Sequence, residues 1–180
     1  MATAYVNVRH AEDRDRNAVE RVLLAAYGEY ALTLPGDRWK EYKASIVQAI
    51  DTPTTSARLV AEVDGEVVGS VFVYDSSASA YGAPQLEIHN PIIRLLGVSP
   101  HARGLGVATE LIRASARLAL DSGADTLHLH TSDMMASAVK LYERLGFERA
   151  HDKEFHNGNI LVKSYRIRLK EAALLQAQAR

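Results

Sequence analysis

Apolar positions along the chain recur with two periods, and the switches between them lay out the elements. Tyr5 to Arg9 alternates around Val6 and Val8, as a half-buried strand does. After Asp13, an N-cap residue type, Val19, Val22, Leu23, Ala26 and Tyr30 fall on one helix face. Leu34-Pro35-Gly36 breaks that helix from a second, capped by Asp37 and carrying Trp39, Tyr42, Ile46 and Ile50. Tyr27, Tyr30, Trp39 and Tyr42 read first as core stripes, and in the minority reading as the wall of a pocket. Arg58 to Val63 and Glu66 to Tyr74 flank Asp64-Gly65, a two-residue hairpin signal, and Gly69 inside the second strand marks a bulge or a close approach of another group. Asp75 to Pro84 is small and polar and reads as a loop.

Ile92 to Val98 is a further strand. From Val107 the apolar residues Val107, Leu111, Ala114 and Leu118 keep a helical period to about Leu120, and Thr126 to Thr131 alternates again. Strand, helix and strand in that order predict a right-handed parallel crossover. Asp133 offers a cap for a helix with Met134, Ala138, Leu141 and Leu145 on one face, stopped by Gly146 before a strand at Phe147 to Arg149. Asn157-Gly158 turns the chain into a last strand, Ile160 to Leu169, and Lys170 to Arg180 reads as a surface helix or frayed tail.

Length changes this picture little: 180 residues suit one well-buried core, hence a single domain over 1–169 with a helical tail over 170–180. The formal net charge of −1 argues against a nucleic-acid or membrane-surface role, each of which shows as a basic excess. No cysteine is present, which removes any mechanism that parks an acyl group on an enzyme thiol. Neither a signal-peptide run nor an 18-residue apolar stretch occurs, so the expectation is a cytoplasmic protein.

The candidate chemistry gathers where the strand Ile92 to Val98 meets the glycine-opened helix. The first-turn N–H groups of that helix carry a partial positive charge of about +0.5, and glycines admit a bulky anion to the backbone. Arg103 adds a full charge. The nucleotide loop G-x-x-x-x-G-K-[ST] is absent, and the dinucleotide fingerprint G-x-G-x-x-G fails at Thr109 and at the placement of Asp125. What remains is V-x-P-x-x-R-G-x-G-x-A, formed by Val98, Pro100, Arg103, Gly104, Gly106 and Ala108. It resembles the acyl-CoA pyrophosphate loop of the GNAT superfamily of N-acyltransferases. A second segment, Ser137 to Glu148, is similar to the GNAT helix ending L-Y-x-x-x-G-F, here Leu141, Tyr142, Gly146 and Phe147.

The resemblance implies a mixed α/β fold whose central mixed sheet is splayed between Ile92–Val98 and Thr126–Thr131 and flanked by helices, and a ternary-complex transfer from acetyl-CoA, the cosubstrate, with no metal. It implies that the backbones of Leu96 and Val98, with Gly97 between them, hold the pantetheine arm. Arg103, Gly104, Leu105, Gly106, Val107 and Ala108 would hold the pyrophosphate, with Ser137 adding a cofactor contact and Tyr142 serving as general acid to the departing thiolate. The acceptor would be a small-molecule amine or a peptide or protein amine, with neither nucleic acid nor membrane as partner and with a homodimer left open.

The strand before the loop departs from the family pattern, because Ile92-Ile93-Arg94-Leu95-Leu96 has no carboxylate to act as base. Glu87 and His89 are the nearest candidates, each read otherwise as an exposed polar residue. A lysine-like amine of pKa ~10.4 costs roughly 4.6 kcal/mol to deprotonate at pH 7, whereas an α-amine near 7.8 costs only about 1. A weak base therefore suits an acceptor of lowered pKa. The missing carboxylate also keeps a second reading in view, a non-catalytic acyl-CoA-binding or sensor domain of the same fold. His128, His130, His151 and His156 invite a metal reading that the sequence does not support, since no third-ligand pattern accompanies them.

Overall fold

The computed structural model describes residues 5–32, 34, 37–52, 54–131, 136–157 and 160–176. Its strands are β1 (Asn7–His10), β2 (Ala57–Val63), β3 (Glu66–Tyr74), β4 (Ile92–Val98), β5 (Thr126–Thr131), β6 (Glu148–Arg149), β7 (Phe155–Asn157) and β8 (Ile160–Arg168). Its helices are α1 (Arg16–Tyr27), α2 (Arg38–Asp51), α3 (Ser77–Tyr81), α4 (Val107–Asp121), α5 (Ala136–Arg144) and α6 (Ala173–Gln176). The strands make one mixed sheet in the order β1-β2-β3-β4-β5-β8-β6, with β7 joined to β8, and the helices flank it, so the mixed α/β expectation holds. Contacts divide the chain into two compact units, 1–73 with 95–114 and 74–94 with 115–180.

In the first unit β1, β2 and β3 form an antiparallel meander. Asp64 and Gly65 both take positive φ, 52° and 80°, the two-residue turn whose twist matches its strands. The register passes from Ala61↔Gly69 to Glu62↔Val67, leaving Val68 as a bulge. Gly69 is also a close approach: a Cβ there would lie 2.7 Å from Val107 Cγ1 and 3.0 Å from Leu111 Cδ1 on α4. Helix α1 buries Val19, Val22, Leu23 and Ala26, and meets β4 where a Cβ on Gly97 would come within 2.9 Å of Leu23 Cδ2. Helix α2 buries Ile46 and Ile50. Its last carbonyls are claimed by the Arg58 guanidinium, which donates to Ala49, Ile50 and Thr52 and lies 4.7 Å over the Phe72 ring.

The start of α1 differs from expectation. Asp13–Asp15 forms a tight 3-10 turn, and Asp15 rather than Asp13 precedes the helix. The reason lies on β1. Arg9 donates to both Asp15 oxygens at 2.7 and 3.0 Å and to Glu62 at 3.1 Å, and the Glu12 N–H donates to Asp15 at 2.7 Å. The Arg9 guanidinium holds the buried Asp15 carboxyl down at about 2. Since the unfolded chain titrates near 3.9, the ionised form contributes about 2 kcal/mol, in full above about pH 5 and lost as pH falls toward 2. Urea unfolding of Asp15→Asn against wild type is expected to show that gap at pH 7 and well under half of it at pH 2.5. A gap independent of pH would assign the loss to packing instead.

In the second unit β5 and β8 run antiparallel from Thr126↔Arg168 to Thr131↔Lys163, and β6 and β7 also pair with β8. The opening of β4 pairs in parallel with β5, Ile92 with His128 and Ile93 with Leu129, as the strand-helix-strand pattern predicts. Three expectations are corrected here. The polar stretch 75–84, expected as loop, carries a short helix: its serines cap α3, with the Ser79 and Ser76 N–H groups donating reciprocally to the Ser76 and Ser79 hydroxyls, and Gly82 closes it at φ 61°. Strand β7, too short to show a period, was not anticipated. The C-terminal run is not a surface helix, because Ala172, Leu174 and Leu175 are buried and Arg117 donates to the Leu175 carbonyl at 3.2 Å. The sequence expectations at Pro35-Gly36, Asp133, Met134, Gly158 and the last residues, 177–180, lie outside the described residues.

Candidate active site

In the first unit β4 ends at Val98, a 3-10 turn covers Pro100–Ala102, and α4 begins at Val107, which isolates Arg103 to Gly106 as the loop between them. Gly104 and Gly106 stand at φ 82° and 83°, and a Cβ at either would touch nothing within 4 Å. These glycines are therefore required by conformation rather than space. Gly106 accepts the Glu110 N–H at 3.1 Å, so the helical ladder starts at this glycine and the N–H groups of the turn before it are outside that ladder. Arg103 to Gly106 are exposed, including Leu105, while Val107 is buried and pins the helix to the core.

Arg103 is held by Glu29, one guanidinium nitrogen donating at 2.9 Å and a second closing the ion pair. The arginine in turn holds the Glu29 carboxyl below its ordinary range. Both side chains are about half exposed, so the pair is weakly held and an incoming anion can replace the carboxylate. On β4 itself Leu95 has φ 54°, a left-handed residue in the middle of a strand, and the Leu96 carbonyl accepts the Tyr27 hydroxyl at 2.9 Å. Tyr27 packs 5.9 Å from Tyr42 and 6.1 Å from Tyr30, with Trp39 6.2 Å from Tyr42. Thus Tyr27, the buried member of this aromatic group, fixes one β4 carbonyl, while Tyr30, Trp39 and Tyr42 stay half-buried.

In the second unit Tyr142 lies on α5, 8% exposed, its ring 6.0 Å from Phe147. The Phe147 N–H donates to the Tyr142 carbonyl at 3.0 Å, and Gly146 at φ 103° makes the turn that allows it. Ser137 lies in the first turn of α5. Glu87 and His89 are exposed on the segment leading into β4. Glu87 closes a 3-10 turn at φ 53°, and its carbonyl accepts the Lys153 ammonium at 3.1 Å.

Sequence reasoning missed one cluster in this unit. The Tyr81 hydroxyl lies 2.8 Å from His130 Nδ1, and the Tyr81 ring meets the His130 ring edge-on at 5.1 Å and the Phe155 ring at 6.0 Å. His128, two residues back on β5, is buried with Nε2 3.1 Å from Thr126 Oγ1. Burial pushes both imidazoles down to about 4, so each is neutral at pH 7. The alternation of histidines on β5 was visible in the sequence, but the partner Tyr81 sat in a stretch read as loop. Among the described residues no three His, Cys, Asp or Glu side chains gather to hold a metal ion, and no helix is long and apolar enough to cross a membrane.

Comparison with known proteins follows the same lines. A family model described as "Acetyltransferase (GNAT) family" matches residues 17–147. N-acetyltransferase 8F1 of Rattus norvegicus is 32% identical over 123 residues, 64% of this chain and 53% of its own. The chain spans about half the length of the mammalian relatives it matches. Among solved structures, the ribosomal-protein-S18-alanine N-acetyltransferase of Escherichia coli superposes with TM-score 0.65 at 15% identity, covering 92% of this chain and 94% of that one. The structure of yncA from Salmonella typhimurium with its cofactor acetyl-CoA does so with TM-score 0.60 at 17% identity, covering 93% and 96%.

Proposed function

The chain belongs to the acetyltransferase (GNAT) family, and from that premise we propose that it transfers an acetyl group from acetyl-CoA to an amine by direct attack in a ternary complex. The observation that carries the reading is the loop of Arg103 to Gly106, two left-handed glycines and an arginine opening a long helix, which suits a pyrophosphate. The acetyl-CoA held by the structural relative from Salmonella typhimurium supports the same ligand here.

In this reading the loop backbone from Gly104 to Ala108 and the Arg103 guanidinium bind the pyrophosphate, with Leu105 and Val107 contributing main chain. The backbones of Leu96, Gly97 and Val98 pair with the pantetheine arm, and Ser137 adds a contact. The amine nitrogen attacks the thioester carbonyl carbon, the C–S bond breaks, and the sulfur takes a proton from the Tyr142 hydroxyl, which water restores. The amine loses its proton to water or, through water, to Glu87 or His89, which favours an acceptor of lowered pKa.

Release of CoA thiol from acetyl-CoA in the presence of a panel of amines tests the reading. Arg103→Gln is expected to raise KM for acetyl-CoA about tenfold, the worth of one charge-assisted contact, with kcat little changed. An unchanged KM would remove Arg103 from the site. Tight acetyl-CoA binding with no thiol release from any amine would favour a non-catalytic acyl-CoA sensor.

A further inference from the structure

We propose that Arg94 binds a carboxylate on the acceptor, so that the amine this protein acetylates also carries a carboxylate; the proposal rests on the transferase reading above. Arg94 lies on β4, two residues before Leu96, and is half-buried. Its guanidinium donates to the Ala80 carbonyl at 2.7 Å and lies 4.9 Å over the Tyr81 ring and 5.7 Å from the Tyr74 ring.

Among the described residues no carboxylate pairs with the Arg94 guanidinium, although it is half-buried and fixed over two rings. Arg9, Arg14, Arg16, Arg103, Arg113 and Arg149 each reach a carboxylate. Arg58 and Arg117, further arginines with no carboxylate partner among the described residues, spend donors on helix-end carbonyls. Arg94 has five N–H donors, one backbone carbonyl and no acidic partner among the described residues. Among the described residues the groups beside it supply no negative charge. His130 is neutral, and burial raises the Tyr81 phenol above its ordinary value, so it stays protonated. Lys153 is itself a cation, donating to the carbonyls of Leu86 and Glu87.

A part-buried, uncompensated cation is costly, and this one is held in place by two aromatic faces rather than left to swing into water. A fixed planar fork matches a carboxylate bidentately, and one guanidinium balances its single charge, whereas a phosphomonoester carries nearly two. The Tyr81 hydroxyl, set by His130 Nδ1, is a further polar group at the same place.

The test compares phenylalanine and further α-amino acids with their carboxamides, as acceptors for wild type, Arg94→Gln and Arg94→Lys. The acid-to-amide ratio of kcat/KM is expected to fall at least about tenfold in Arg94→Gln and less in Arg94→Lys, with KM for acetyl-CoA unchanged. The amine's own basicity is the same for all three proteins and cancels in that comparison. Thermal melting confirms that each variant is folded. Binding of N-acetylphenylalanine and its carboxamide by calorimetry needs no turnover and is read separately. A preference for the acid that disappears in Arg94→Gln without any thiol release keeps the site and overturns the transferase reading. Thiol release with a ratio that Arg94→Gln leaves unchanged overturns the site and keeps the transferase. Equal binding of acid and amide overturns the site in either case.

Discussion

Tyr142→Phe is expected to lower kcat roughly a hundredfold, the usual worth of a positioned general acid, with affinity for acetyl-CoA preserved. The substitution isolates one atom. The ring sits buried against Phe147, and phenylalanine keeps that contact and the helix end built on the Tyr142 carbonyl. Stability is therefore not expected to fall by more than about 1 kcal/mol, the worth of one hydrogen bond. The departing thiolate must still find a proton, and bulk water gives one more slowly than a phenol held in place. Initial rates with saturating amine and calorimetric binding of acetyl-CoA separate the two roles. Unchanged turnover with the amine saturating would make Tyr142 a packing residue. Weakened acetyl-CoA binding with equal kcat would make its hydroxyl a ligand instead of an acid.

The candidate anion loop is legible in sequence because every property it uses is local. Arg103 brings its own charge, and Gly104 and Gly106 bring a backbone conformation that other residues resist. The apolar period from Val107 announces the helix whose first turn faces the loop. The hairpin at Asp64-Gly65 is legible for the same reason. Arg94 is not. Its meaning lies in what surrounds it, the rings of Tyr74 and Tyr81 and a carbonyl fourteen positions back, with no carboxylate partner among the described residues. Tyr81 itself was hidden because Ser76, Ser77 and Ser79 look like loop solvation, while the structure uses Ser76 and Ser79 as reciprocal helix caps. The C-terminal leucines were misjudged because a four-residue helix is too short to show a buried face by period. Contacts made across long sequence distances leave no local signal, and the proposed acceptor contact is of that kind.

Gly69 ties the stability of the first unit to the proposed anion loop, so Gly69→Val is expected to disturb both. A Cβ at this position would sit 2.7 Å from Val107 Cγ1 and 3.0 Å from Leu111 Cδ1, below any ordinary contact, and valine adds two methyls beyond it. Neither neighbour can swing away, since both are buried on α4 with at most 2% exposure. Overpacking of this kind costs about 3 kcal/mol, which for a chain of this size lowers Tm by roughly 6–12 °C. The strain has one soft outlet. Val107 is the first residue of α4, directly after Gly106, so moving the helix off β3 moves the first-turn N–H groups that the loop presents. Acetyl-CoA is then expected to bind about tenfold more weakly at a temperature where the variant remains folded. Gly104→Ala is the complementary change, open in space but strained at φ 82°, and it should weaken binding with a smaller fall in Tm. If Gly69→Val lowered Tm without touching acetyl-CoA affinity, the start of α4 would be held by the loop itself, and the packing of Val107 would not be what positions the anion site.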